Sequence, residues 1–239
     1  MDVNENTFDK FLREDSNGLQ LPLPEKLYHY TGSETVAPIK ANLNCFNAST
    51  MEDPLEFRLG FCFLQHMRVR GGYPLNEVLS DPAAESVRCW TFSLCMEGAD
   101  VKMGRKYACP KEGHPVILEF EYEQISDAVR ELMRKDLKND DSTAGDLRAL
   151  HFLLPCLYSV SHLSEIEKVQ DFLFEDYYEG LCAKLQHIGR LEIACACSYM
   201  FRAMIKGNDY KKEQEYRLVK ITLDGSDEIS IPYGFSKQI

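Results

Sequence analysis

The chain has 239 residues and a formal charge of −11, with 44% hydrophobic and 11% aromatic residues. This is enough apolar material for a packed core and argues against a disordered chain, while the acidic balance disfavours sequence-independent binding to nucleic-acid backbones, which draws on Lys and Arg. Nine cysteines, an odd number set mostly in apolar runs such as Phe61-Cys62-Phe63 and Ala194-Cys195-Ala196-Cys197, argue against a disulfide scaffold and fit reduced thiols in the cytoplasm.

The length suggests one domain over residues 1–239 with elaborations. Residues 1–24 read as a polar lead-in ending in the proline-bearing "LPLPEK". They hold no basic segment followed by an apolar one, and apolar runs elsewhere fall far short of the ~20 residues that cross a bilayer, so a secretion signal and a membrane span are not expected. "LYHYT" at 27–31 alternates and reads as a strand, with His29 and Thr31 on one face and Tyr28 and Tyr30 on the other. Ser33 is a candidate N-cap for a helix from Glu34 to about Ala41. "LNCFNAS" at 43–49 reads as a second strand. In "MEDPLEF", Asp53 fits an N-cap, Pro54 a first helical turn and Glu56 the reciprocal capping position, with Gly71-Gly72 as the stop.

"SVRCWTFSLC" at 86–95 and "PVILEFEYE" at 115–123 read as strands. Residues 124–138 and about 145–187 show apolar positions at helical spacing, broken at "KNDDSTAG" and near Pro155. Residues 190–205 fit helix or strand, helix better. "EYRLVKITL" reads as a strand by which the segment 206–239 returns to the sheet. Strands first, a mostly helical insertion over 124–205 and a returning strand make an α+β plan.

Cys195-x-Cys197 has the wrong spacing for a zinc knuckle, so no metal site is expected. The sequence lacks G-x-S-x-G, a P-loop and G-x-G-x-x-G, which lowers the standing of serine hydrolases and common nucleotide folds. With nine cysteines and six histidines, a Cys–His nucleophile cannot be singled out. His29 alone is an ordinary strand histidine. Glu213 and Glu215, at i and i+2, are expected on one face of a strand, where they repel unless a cation lies near. An exposed face neutralised by Lys211, Lys212 and Arg217 explains the pair. A site that develops positive charge explains it too, as in glycosidic cleavage through an oxocarbenium-like transition state.

The ordered series "LYHYT", "NCFNASTMEDPLEF", "CWTFSL", "YACPKEGHPVILEF" and "YKKEQEYRLV" resembles a bacterial family of uncharacterised proteins, over about residues 26–222. That family shows an L-Y-x-Y or H-Y opening, N-D-P-F-E, C-F-S, M-W-S-H-Y-A and a closing W-x-x-E-x-E-Y-R. Here Glu52 and Leu55 replace the usual Asn and Phe, 103–106 departs from the M-W-S-H pattern, and Tyr210 stands for Trp. The family in turn is similar to ADP-ribosyltransferases, which implies a split β-sheet core with an inserted helical block. The resemblance also implies NAD as substrate and a macromolecular acceptor, as for a bacterial toxin or phage-defence effector. His29 would hold the nicotinamide ribose, with Tyr30 and Thr31 beside it in the NAD-binding set, Thr91 and Ser93 supporting the carboxylate, and Tyr30 or Tyr107 stacking on nicotinamide. Glu215 would stabilise the oxocarbenium and Glu213 would position the acceptor. Arg217 fits an ion-pair partner that keeps Glu215 ionised. A Glu215→Gln change is expected to abolish activity with little loss of fold. An NAD glycohydrolase, or a non-catalytic member binding a nucleotide or protein, would use the same frame. All the enzymatic readings require residues 29 and 215 to face one another across a crevice.

Overall fold

The computed structural model describes residues 2–13, 18–41, 43–48, 54–66, 73–80, 87–96, 114–138, 149–223 and 230–231. The chain is α+β. Its main sheet is antiparallel and contains β1 (Lys26–Gly32), β3 (Phe46–Asn47), β4 (Arg88–Cys95), β5 (Pro115–Glu121), β6 (Ala149–Pro155) and β9 (Glu215–Thr222). Five of these follow the order β5-β1-β4-β9-β6, and β3 attaches to β4. Two small pairs stand apart: β2 (Leu43–Asn44) with β10 (Ser230–Ile231), and β7 (Leu157–Tyr158) parallel to β8 (Ile205–Lys206).

The edge of β4 away from β9 is shared. β1 pairs with it at one position, Tyr28 with Cys95, and β3 pairs with it at Trp90 and Thr91. β1 meanwhile keeps seven pairs with β5. The sheet therefore opens between β1 and β4, and Ser93 lies in the gap.

Alternation sorts the side chains of the sheet onto two cores. Cys89 of β4, Val219 and Ile221 of β9, and Leu150, Phe152 and Leu154 of β6 join a large core on one face. That core is roofed by α3 (Pro54–His66), by α8 (Arg190–Met204), and by the run α6 (Leu163–Asp171), a π-helical turn (Phe172–Tyr177) and α7 (Tyr178–Lys184). Leu27, Trp90, Phe92, Leu94, Tyr216 and Leu218 form a second core on the other face. It is covered by α2 (Val36–Ala41) through Ile39 and by the first half of α5 (Tyr122–Lys138) through Tyr122, Ile125 and Val129. A short helix α4 (Leu75–Ser80) completes the helices among the described residues. Gly60 lets α3 lie close to α8: a Cβ there would stand 2.6 Å from the Arg202 Cα. No described helix is long and apolar enough to cross a membrane, and the eight described cysteines are free.

Several expectations change. The polar lead-in contains a helix, α1 (Thr7–Arg13), whose Phe8, Phe11 and Leu12 are buried in the large core. Phe11 stacks on Phe172 at 3.9 Å between ring centres. The i, i+3, i+4 spacing in "TFDKFLR" carries this helix, and the surrounding acidic residues mask it. Ser33 is not an N-cap: the helix opens as a 3-10 turn (Ser33–Thr35) preceded by Gly32, and the Ser33 hydroxyl accepts the His114 N–H at 3.2 Å. Residues 43–49 divide into β2 and β3, which serve different sheets.

Residues 149–155 are strand, not helix. "ALHFLLP" forms β6 beside β9, and all seven of its residues are buried. A strand covered on both faces loses its two-residue alternation, so its apolar run is indistinguishable from a buried helix by period alone. Asp53 and the Gly71-Gly72 stop lie outside the described residues.

Candidate active site

β9 begins at Glu215, and the residue before it, Gln214, has a φ of 41°. That left-handed residue caps a 3-10 turn (Asn208–Glu213) and breaks the strand's alternation. Glu213 is therefore at the end of a turn and not on the strand with Glu215. Their carboxylates still meet, at Lys206. The Lys206 ammonium donates to Glu213 Oε2 at 2.6 Å and also to Glu215 Oε2. It lies 4.9 Å from the centre of the Tyr210 ring, on the same turn.

The other oxygen of Glu215, Oε1, accepts from Ser93 Oγ at 2.6 Å and from Arg217 Nε at 2.7 Å. Arg217 also donates to the Ala203 carbonyl at 3.0 Å. The backbone of Glu215 is fixed as well: its N–H reaches the Tyr158 hydroxyl at 3.0 Å and its carbonyl accepts from Cys156 at 2.8 Å. Lys206, Glu213, Glu215 and Arg217 are 3%, 6%, 4% and 0% exposed, so two carboxylates and two cations form a neutral buried cluster. Burial pushes the Glu215 carboxyl upward, but Arg217 and Lys206 outweigh it and hold the group down to about 2. Glu215 is ionised at neutral pH.

His29 approaches from β1. Its Nδ1 lies 2.9 Å from the Ser93 carbonyl, and its ring stacks on Phe92 with centres 4.2 Å apart. The contact falls in the gap between β1 and β4, where a continuing ladder would place a backbone N–H. Burial lowers the His29 pKa and so favours the neutral ring, although the hydrogen bond to the Ser93 carbonyl pulls the other way. A carbonyl only accepts, so Nδ1 carries the proton and Nε2 is left as an acceptor.

His29 and Glu215 do not face each other, so the facing pair required of the enzymatic readings, with His29 on the ribose beside Glu215, is not formed. Cys95 pairs with Tyr28 and with Glu215, so Tyr28 and Tyr30 leave the sheet on the Glu215 side, while His29 and Thr31 leave on the Phe92 side. Ser93 joins the two groups: its carbonyl bonds His29 and its hydroxyl bonds Glu215. Of the other residues picked from sequence, Thr91 is buried two positions from Ser93 and opposite Val219. Tyr30 is buried, and the Thr31 hydroxyl bonds the Thr35 hydroxyl, which in turn bonds the Gly32 carbonyl at 2.8 Å. Tyr107 lies outside the described residues.

Sequence reasoning missed Lys206 and Tyr158. The signal for Lys206 was an isolated lysine in "AMIKG", at the apolar end of a buried helix, where a charge persists only if paired. Nothing in the local sequence marks Tyr158. No family model, curated protein or solved structure matches the chain.

Proposed function

We propose that the protein is an NAD-consuming enzyme of ADP-ribosyltransferase type, built on a split sheet and transferring ADP-ribose to a macromolecule. The observation that carries this reading is the Ser93–Glu215 hydrogen bond at the opening between β1 and β4. It fixes an ionised carboxylate where a serine-bearing strand and a histidine-bearing strand part. The reaction breaks the bond from the ribose C1′ to the nicotinamide nitrogen. The electron pair leaves with nicotinamide, and C1′ takes oxocarbenium character. Glu215 stabilises that charge, while His29, on the other face of the sheet, acts only through the Ser93 carbonyl and makes no ribose contact. An acceptor nucleophile then bonds C1′ and loses its proton, with Glu213 beside it as the base.

A second reading is favoured by Lys206. Both oxygens of Glu215 already have partners, as a non-catalytic member binding a nucleotide or protein would allow. Labelled NAD separates the two. Nicotinamide release only with lysate, lost in folded Glu215→Gln, supports transfer. Release into buffer alone supports an NAD glycohydrolase. NAD binding without any release supports the non-catalytic reading, and neither binding nor release removes NAD from the account.

A further inference from the structure

Lys206 does more than neutralise two acids. It bonds Oε2 of Glu215, while Ser93 and Arg217 bond Oε1. It is held by three groups at once: Glu213, Glu215 and the face of Tyr210. Lys206, Tyr210 and Glu213 belong to one short stretch, running from β8 through the 3-10 turn, with Gly207 at its start and the left-handed Gln214 at its end. Its ties to the rest of the chain include the pairing of β8 with β7, a backbone bond from Ser159 N–H to the Lys206 carbonyl at 2.9 Å, an exposed Ser161–Asn208 side-chain bond at 2.7 Å and, at its far end, a bond from Met96 N–H to the Gln214 carbonyl at 3.0 Å.

We infer that Lys206 is an internal inhibitory cation, holding the Glu215 oxygen that the ribose of NAD must take and releasing it only when the 206–213 stretch lifts. The inference rests on the NAD reading of Glu215 given above. An oxocarbenium-like ribose and an ammonium want the same thing from Glu215, a negative oxygen at hydrogen-bond distance. A competitor on the same chain acts at a high effective concentration. If the open form is a small fraction of the population, apparent NAD affinity falls by that fraction. Tyr210 adds a second hold on the ammonium, so the cation and its aromatic wall move together.

The test uses the full chain with NAD, reading dissociation constants by calorimetry and nicotinamide release by chromatography. Four proteins are compared: wild type, Lys206→Met, Tyr210→Leu, and Lys206→Met combined with Glu215→Gln. The expected result is NAD binding at least tenfold tighter and release at least tenfold faster in Lys206→Met, with the release lost again in the double variant. Tyr210→Leu, which loosens Lys206 at a half-buried position, is expected to raise release severalfold. It decides the matter where Lys206→Met fails to fold. A folded Lys206→Met, or Tyr210→Leu, that releases nicotinamide no faster than a wild type with measurable turnover overturns the inhibitory role and leaves the NAD reading standing. Absence of both binding and release in all four proteins overturns both together.

Discussion

Replacing Glu215 by Gln converts the buried cluster from neutral to a net positive charge, and the cost can be worked from its depressed pKa. The carboxyl is held near 2 in the folded chain against an ordinary value of 4.5. At 1.36 kcal/mol per pKa unit, the ionised Glu215 contributes about 3 kcal/mol to folding at pH 7. The folded-state value is the lower one, so this stability is present above pH 4.5 and is lost as pH falls toward 2. By the linkage relation about 1 kcal/mol is gone at pH 4 and about 2 kcal/mol at pH 3. The side chain is fully enclosed, so little of this is screened. Urea melts of wild type and Glu215→Gln at pH 7, 5, 4 and 3 measure it. The stability gap between the two proteins is expected to close from about 3 kcal/mol at pH 7 to about 1 kcal/mol at pH 3. A gap that stays constant over that range would show that Glu215 does not sit as an anion between Lys206 and Arg217. The same arithmetic revises the view of Glu215→Gln as harmless to the fold: its activity has to be measured on protein shown to be folded at pH 7.

Ser93→Ala removes a hydroxyl donor to the buried carboxylate and is expected to cost about 1.5–3 kcal/mol in a denaturant melt; a neutral result would mean that Arg217 and Lys206 alone position Glu215. Gly60→Ala forces α3 away from the Arg202 backbone and is expected to lower stability by about 1–3 kcal/mol, with a lower thermal midpoint. Phe8→Ala is expected to cost about 3–5 kcal/mol, because its ring packs against Phe11, Phe152, Phe172 and Tyr177; an unchanged melt would return residues 7–13 to the status of a dispensable lead-in.

How far the sequence spoke depended on how many sides of each element meet the core. β1, β4 and β5 keep enough alternation, or enough turn punctuation, to be read directly, and so does the long amphipathic α5. β6 lies under both cores and carries no period, so its sequence is indistinguishable from that of a buried helix. α1 was lost for the opposite reason, three apolar side chains in an acidic setting. At the site, "EQEYR" offered Arg217 as an ion-pair partner of Glu215, which the structure forms, while Ser93 as a support of Glu215 came only with the family resemblance. The route by which Glu213 reaches the cluster was not legible, because a single left-handed residue at Gln214 changes which way its side chain points. Nor was Lys206, since its partners lie seven and nine residues further on and beyond a turn whose path no local preference dictates.

The enzymatic and non-catalytic readings share every atom of the cluster and differ on one motion. A carboxylate that stabilises positive charge has to be ionised, oriented and reachable. Ser93 and Arg217 supply orientation from Oε1, and the two cations supply ionisation. Reach is what Lys206 takes away. Arg217 is fully buried on the strand and is bonded to the Ala203 carbonyl, so its withdrawal would unmake β9 against α8. Lys206 is different: it sits on a two-residue strand outside the main sheet, at the start of a turn that rejoins the sheet at Gln214, whose carbonyl accepts from Met96 N–H at 3.0 Å. Without Lys206, Glu215 would keep Arg217 as a counter-ion and stay ionised while gaining a free oxygen. Glu215 thus draws its two cations from different elements, Arg217 from the main sheet and Lys206 from the short strand that precedes the turn. That division is the physical reason to look for catalysis here.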